Sequence, residues 1–467
     1  MNIKKKIALA AIPAVMALSA TDASSKVLLM SDNGWEVSFD GAANAFYNHT
    51  STGVVESAGS GARYTTGGET AASTILGGGE SGNLNGGEGG EDISSISVGL
   101  LPNVWGFTVK APTKNGLDVS GRLGLYTHMN ATGTSANGNV INIRETSLTV
   151  AGSFGSVLMG RSLGIHQSNA ILNDMTLFGV GVAAGNISGT TLGRIGVGYV
   201  YADWYPQITW TTPGLGPIGA KIGILQATPL QSSTGADATN TTTPRVEAQL
   251  DYSFEVGGLG GYVWVDGQYQ NVSRTTAETQ LFKRRTSQTV AIAAQEGGSG
   301  NHGDQLDSVE AAGVGFGTRL TFQGFKLVAS GFFNQGIGMQ FQGNANGAYS
   351  GSLDERGKAR HFYGGYIQGT YDFGQGTNVG YSYGSNHLVT TGQDKGEIEA
   401  ITTTLGGAGT TRTDAIQNYV ESHMGMIWHN VTDDFRLIAE GVYSEAHWHG
   451  LGSQESSQVS VGAFFFW

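Results

Sequence analysis

Two short segments of the chain match the pattern that surrounds a nucleophilic serine. Residues 160–164 read Gly-Arg-Ser-Leu-Gly, with His166 just behind them, and residues 380–384 read Gly-Tyr-Ser-Tyr-Gly. A Gly-x-Ser-x-Gly elbow requires a strand that turns sharply into a helix, and neither segment is predicted to lie in that context. Because 75 of the 467 residues are glycine, both matches are expected by chance, and the sequence predicts no enzyme.

The ten histidines include one pair, His447 and His449, that would project to the same side of a strand and could bind a metal ion. Zinc sites take three or four protein ligands, and no third ligand is fixed here by spacing. The chain also contains no cysteine, which removes thiolate ligands and fits an oxidising compartment. We therefore expect no metal and no cofactor, and interpret the two histidines as rim residues.

The charge balance excludes another class of partner. Lys and Arg number 25 against 37 Asp and Glu, which gives a formal net charge of −12. Phosphate recognition needs a basic patch, so we expect no nucleic-acid partner. Two arginines stand out by position, because Arg144 and Arg161 flank the segment 162–193, whose one acidic residue is Asp174.

The elements that would position these side chains are β-strands. Residues 245–255 alternate strictly, with apolar side chains on one face and charged, amide or hydroxyl side chains on the other. Such alternation over about 10 residues is typical of strands that face lipid outward and water inward. Residues 116–126 and 311–322 alternate in the same way, which places Arg122 and Arg319 on inward faces.

The whole chain predicts an all-β fold, a 16-stranded antiparallel transmembrane β-barrel. Short turns alternate with long polar connections, as in outer-membrane barrels, and sixteen strands enclose an aqueous lumen. A soluble β-helix or sandwich is the disfavoured alternative. The predicted strands are 35–47, 92–101, 116–129, 140–151, 155–161, 194–212, 218–226, 244–255, 261–272, 307–322, 325–335, 359–373, 377–388, 414–429, 435–447 and 456–467.

The N-terminus has the pattern of a secretory signal peptide. Three lysines, at positions 4 to 6, precede the apolar run 7–18, and small residues follow at 20–23. The apolar run is well short of the ~20 residues that span a bilayer. We therefore predict a signal peptide at 1–23, with Ala20 as the alternative cleavage position, and a mature barrel domain at 24–467.

The last strand alternates apolar residues and ends in the aromatic residues Phe465 and Trp467. This resembles the C-terminal signal of bacterial outer-membrane barrels, and the resemblance implies that both residues act in membrane assembly. The terminal residue of that signal is usually phenylalanine, so Trp467 departs from it while keeping an aromatic ring.

A second resemblance lies in 144–161. Arg144 opens a strand, a tight turn follows at 152–155, and the next strand ends in Gly-Arg at Arg161. The arrangement is similar to that of the Gram-negative general porins, in which this strand leads into a third loop that folds into the barrel and narrows the pore. The resemblance implies that 162–193 is an inward-folded third loop. Asp174 resembles the carboxylates that face arginines in that family.

The resemblance therefore implies a pore constriction formed by Arg144, Arg161 and Asp174, with Arg122 and Arg319 nearby. Opposed fixed charges at a constriction orient dipolar solutes and filter ions. An alternative is that the arginines solvate the lumen or pair with neighbours such as Glu145. For Asp174 the alternatives are a helix cap or a surface charge.

The expected function is a porin in the outer membrane of a Gram-negative bacterium, embedded in outer-membrane lipid and passing small hydrophilic solutes and ions by passive diffusion. A homotrimer is implied by the resemblance alone. Inward carboxylates such as Glu247, Asp251 and Asp266, with the acidic composition, predict weak cation selectivity. A substrate-selective channel and an adhesive or structural barrel remain as alternatives.

Overall fold

The computed structural model describes residues 27–53, 92–129, 141–182, 190–214, 216–232, 237–275, 308–343, 351–354, 357–395, 416–449 and 452–467. The predicted signal peptide, residues 1–23, lies outside the described residues. Within the described ranges, no helix has the length and hydropathy needed to cross a bilayer.

The described chain is built almost wholly from β-strands. These strands are β1 (Val27–Asp32), β2 (Trp35–Thr52), β3 (Asp92–Ser97), β4 (Asn103–Lys110), β5 (Asp118–Thr127), β6 (Ile141–Gly152), β7 (Gly155–Leu163), β8 (Trp204–Thr211), β9 (Ile218–Leu225), β10 (Arg245–Val256), β11 (Leu259–Ser273), β12 (Ser308–Phe322), β13 (Phe325–Gln335), β14 (His361–Asp372), β15 (Thr377–Val389), β16 (Ile416–Asn430), β17 (Phe435–His449) and β18 (Gly452–Phe466). Between β7 and β8 lie the helix α1 (Ser168–Asn173) and a 3₁₀ helix (Met175–Phe178).

Neighbouring strands are antiparallel, and β18 pairs with β2, so the sheet closes on itself. One edge of β2 pairs with β4 near its start and with β3 near its end. Its other edge pairs with β1 and then β18. The eighteen described strands therefore occupy sixteen positions around the ring, which confirms the predicted 16-stranded barrel.

The two faces of the strands differ as the alternation predicts. On β10, Val246 and Leu250 are 41% and 52% exposed, whereas Arg245 and Glu247 on the other face are fully buried. The exposed face of the barrel is apolar and the interior is polar, which is the arrangement that a bilayer imposes on a spanning barrel. The turn from β10 to β11 needs only Gly257 and Gly258, both at positive φ, as two-residue hairpins do.

Two predicted strands are shorter in the structure than expected, and β1 and β4 are strands that the sequence does not predict. Residues 92–101 were expected to be one strand, but the described strand β3 ends at Ser97, and the unpredicted strand β4 takes over the pairing with β2 beyond Pro102. Proline lacks the N–H that the ladder needs. The predicted strand 194–212 is extended only over 204–211, because Asp203 adopts a left-handed φ of 54° that interrupts the strand.

The barrel closes around the C-terminal aromatic residue. The backbone of Trp467 exchanges two hydrogen bonds with Gly41, at 2.9 and 3.1 Å. Its ring lies 5.0 Å from the ring of Trp105 and 5.5 Å from that of Phe39. A Cβ at Gly41 would lie 2.7 Å from the Trp467 ring. The indole therefore packs directly on the junction of the first and last strands.

Replacement of Trp467 by alanine should lower the thermal stability of the folded barrel, because it removes aromatic pairs that each contribute about 0.5–1.5 kcal/mol. Trp467→Phe keeps most of these contacts and should unfold at a temperature close to that of the wild type. The loss of the heat-modifiable folded band in gel electrophoresis measures both variants. An alanine variant that unfolds at the wild-type temperature would show that the ring does not stabilise the junction.

Candidate functional site

The connection from β7 to β8, residues 164–203, is described except for 183–189 and is called here the crossing segment. Its start is bonded to inward-facing carboxylates of the barrel wall. The backbone N–H groups of Ile165 and His166 donate to Glu247 on β10, at 2.5 and 2.9 Å. The His166 ring lies 2.7 Å from Asp266 on β11, which also accepts the N–H of Gln167. These groups are buried.

The crossing segment is also bonded to more distant parts of the wall. Gln368 on β14 accepts the N–H of Met175 and donates to the carbonyl of Asn173. Glu440 on β17 accepts the N–H groups of Val180 and Gly181, at 2.9 and 2.8 Å. The segment is thus bonded to inward-facing side chains of β10, β11, β14 and β17.

Asp174 serves the crossing segment itself. Its carboxylate accepts hydrogen bonds from the backbone N–H and hydroxyl of Thr176 and from the hydroxyl of Tyr199, at 2.6 to 2.9 Å. It caps the 3₁₀ helix and is only 4% exposed. Burial lowers the pKa of Arg194, and the charge of Asp174 opposes that shift. Asp174 therefore occupies the cap position that the sequence raised as an alternative.

Arg122 and Arg319 are likewise engaged. Both terminal nitrogens of Arg122 donate to Asp40 at 2.9 Å, and its Nε donates to Glu145 at 3.1 Å. Arg319 donates to the side chain of Asn173 at 3.0 Å, at the end of α1. Arg122 thus follows the pairing alternative raised from the sequence, and Arg319 fixes the crossing segment.

Arg144 and Arg161 border the same cavity. Both line a cavity of about 210 Å³ between the wall strands β5 to β7 and the crossing segment. The guanidinium of Arg144 lies 5.2 Å from the centre of the Tyr126 ring and 3.4 Å from the hydroxyl of Tyr201. The Nε of Arg161 is buried and has no hydrogen-bond partner among the residues that the structure describes. Among the described residues, no carboxylate forms an ion pair with either arginine.

One carboxylate, that of Asp203, also lines this cavity. It accepts the backbone N–H of Trp204 at 2.7 Å. Burial raises the pKa of Tyr201, and the charge of Arg144 opposes that shift. Tyr201 therefore remains a neutral hydrogen-bonding group beside the arginines. The three charged side chains of the cavity sum to one positive charge.

The inward-facing carboxylates on which the cation-selectivity prediction rests form hydrogen bonds with neighbouring groups. Glu247 and Asp266 are buried and hold the start of the crossing segment, and Glu247 also lies 2.9 Å from Arg245. Asp251 accepts a hydrogen bond from Gln249 at 2.8 Å. Because the charge of a buried carboxylate is partly compensated by such partners, Glu247 and Asp266 attract fewer mobile cations than free carboxylates would.

The nucleophile-like motifs do not form elbows. Ser162 lies within β7 and Ser382 within β15, and both are buried. His447 lies 2.8 Å from Glu445, and its ring stacks 4.0 Å from that of Tyr419. Within the described ranges, no group of three or more metal-ligating side chains is arranged around a common point.

Sequence reasoning missed Asp203 and most of the apolar wall of the cavity. Asp203 lies inside the predicted strand 194–212. The glycines at 193 and 196 are the sequence signal against a strand there, and both adopt positive φ in the structure. Leu100 and Leu101 fell at the end of another predicted strand. Pro102 is the one local signal that the strand stops before them.

A closed sixteen-stranded barrel with an apolar outer face and a segment crossing its interior defines the chain as a transmembrane β-barrel with the porin fold. No protein-family model matches the sequence, and no curated protein matches it either. The likeness to known proteins lies in solved structures.

Three of these matches have porin or channel names. The outer-membrane channel DcaP of Acinetobacter baumannii is 14% identical, covers 94% of this chain and 100% of its own, and has a TM-score of 0.59. The anion-selective porin of Comamonas acidovorans is 12% identical over 93% of this chain and 100% of its own, with a TM-score of 0.52. OmpF of Salmonella typhi, in complex with daunomycin, is 14% identical over 93% and 99%, with a TM-score of 0.50. At these identities the likeness is one of fold.

Proposed function

We propose that residues 1–23 direct export, and that residues 24–467 form a channel in the outer membrane of a Gram-negative bacterium. Small hydrophilic solutes and ions cross it by passive diffusion, and the chain has no catalytic role. The observation that carries this proposal is the cavity inside the barrel, lined by the guanidinium groups of Arg144 and Arg161, with which no carboxylate of the described residues forms an ion pair. The porin fold of the barrel supports it.

The charge preference that we propose is for anions. Acidic composition predicts weak cation selectivity, but Glu247 and Asp266, two of the three carboxylates behind that prediction, hold the crossing segment, and Glu247 also pairs with Arg245. Fixed charge at a narrow, poorly solvated place acts more strongly on a permeant ion than charge in screened surroundings. The two arginines therefore outweigh Asp203 in selecting ions.

The channel itself is tested by adding detergent-folded protein to planar lipid bilayers in potassium chloride. We expect stepwise conductance increases with a linear current-voltage relation at low voltage. Heat-modified (unfolded) protein is the matched control and should give no steps. If protein that migrates as the folded band produces no conductance steps, the result would contradict a channel and favour an adhesive or structural barrel.

The assembly is proposed to be a homotrimer, as the resemblance to general porins implies. Chemical crosslinking of the folded protein, followed by electrophoresis without heating, measures the number of chains. A ladder that ends at three chains supports the trimer, whereas a single-chain band under conditions that crosslink a known trimer contradicts it.

A further inference from the structure

The cavity that holds the two arginines has mainly apolar walls. Leu100 and Leu101 contribute from the stretch between β3 and β4, Ile171 and Leu172 from α1, and Phe341 from the connection after β13. Three aromatic side chains, those of Tyr126, Tyr201 and Trp204, complete the lining around the guanidinium groups. A filter that selects only small hydrated ions needs fixed charge, but it does not need apolar or aromatic side chains beside that charge.

The net positive charge of the cavity would be neutralised by a ligand that carries one negative charge. Arg144 and Arg161 carry two positive charges and Asp203 one negative, so a single carboxylate brings the cavity to neutrality. Within the described part of the chain, the buried Nε of Arg161 has no hydrogen-bond partner. A carboxylate at this place can accept hydrogen bonds from guanidinium donors, which are the strong class of such bonds.

The volume of the cavity limits the size of the group that could be attached to such a carboxylate. Pockets for drug-sized molecules are about 300–1,000 Å³, and this cavity is about 210 Å³. A single ring or a short branched chain is therefore the largest apolar body that the space favours. Burial of that body against the leucine and isoleucine side chains adds affinity in proportion to its area.

We propose that the cavity is a binding site for small monovalent organic anions with an apolar body, of which benzoate is the representative. The carboxylate is held by Arg144 and Arg161, and the ring lies against the apolar wall that includes Ile171 and Leu172. This inference rests on the proposed channel function and makes the channel selective for a class of solute.

Channel block in planar bilayers tests the inference. Benzoate, acetate, benzamide and phthalate are added to wild-type channels in potassium chloride, and the reduction of chloride current is recorded against concentration. We expect benzoate to act at a concentration about tenfold lower than acetate, because only benzoate buries a ring. Neutral benzamide and the dianion phthalate should both be weaker than benzoate.

Variants locate the binding site. Arg144→Gln should weaken block by benzoate, and Leu172→Gln should weaken block by benzoate more than block by acetate. Lys221→Gln is the matched control, because Lys221 lies on the inward face of β9 and outside the cavity lining. It removes one inward positive charge and should leave the benzoate concentration dependence unchanged. Folded-band electrophoresis checks that each variant has folded.

A second readout is independent of conduction. Trp204 lines the cavity and donates to the hydroxyl of Tyr201 at 3.0 Å. Benzoate should therefore change the tryptophan fluorescence of detergent-folded protein in a saturable manner, and Trp204→Phe should abolish that change.

The outcomes separate the inference from the proposed function. Equal potency of benzoate and acetate, or a fluorescence response that survives Trp204→Phe, overturns the binding site while conduction and anion preference stand. Absence of conductance overturns the proposed channel, and a saturable Trp204-dependent response would then still support the site. Equal effects of Arg144→Gln and Lys221→Gln on benzoate block would also overturn it.

Discussion

The double variant Arg144→Gln and Arg161→Gln should lose the anion preference of the channel. At an effective dielectric constant of about 20 and a distance of about 7 Å, one guanidinium stabilises a passing monovalent anion by about 2 kcal/mol. Even half of that, about 1 kcal/mol after screening by salt, changes anion occupancy about fivefold. The remaining cavity charge, that of Asp203, would then favour cations. The permeability ratio of chloride to potassium, from the zero-current potential, measures the change.

Two controls make this result specific. The lysine pair Arg144→Lys and Arg161→Lys keeps both charges and should keep most of the preference, although lysine cannot reproduce the guanidinium geometry. Lys221→Gln removes a positive charge from the inward face of β9, outside the cavity lining, and should change the ratio much less. An unchanged ratio in the folded double glutamine variant would remove these arginines from the selectivity site.

Replacement of Glu440 by alanine should release part of the crossing segment from the wall. Glu440 accepts the N–H groups of Val180 and Gly181, and its side chain is buried. Each buried N–H left without a partner costs about 1–3 kcal/mol. We therefore expect a larger and noisier single-channel conductance, together with faster proteolysis within the segment. The barrel ladder of β16 to β18 does not depend on this side chain and should remain folded.

Glu440→Gln is the control for this prediction. The amide keeps one oxygen that can accept one of the two N–H groups, so conductance and proteolysis should lie between those of the wild type and the alanine variant. If the alanine variant conducts and resists protease as the wild type does, Glu440 does not hold the segment in place.

The barrel could be predicted from the sequence because each of its strands has an alternating pattern that is visible within a short stretch of residues. A strand between lipid and lumen must alternate every second residue, and segments such as 245–255 show this without a neighbour being known. Where local signals conflict, the prediction was wrong. Pro102 divides one predicted strand, and Asp203 at positive φ shortens another. Sixteen positions were nevertheless obtained, because the missed strands β4 and β1 share positions with β3 and β18 along the two edges of β2.

The candidate site could be predicted only in part, because its contacts are remote in the chain. Arg144 and Arg161 were found through a motif that lies on two adjacent strands. By contrast, Ile165 bonds Glu247 across 82 positions, and Val180 bonds Glu440 across 260. No spacing reveals such pairs. The roles of Asp174 as a cap and of Glu247 as an anchor follow only from the fold.

The zero-current potential of the wild-type channel in a tenfold gradient of potassium chloride measures whether Arg144 and Arg161 set its ion preference. If Arg144 and Arg161 control the narrow part of the channel, the potential has the sign of anion preference, and that preference weakens as salt screens the charges. A potential with the sign of cation preference, recorded from folded protein with stepwise conductance, would contradict the account. The acidic composition would then govern selectivity instead of the cavity.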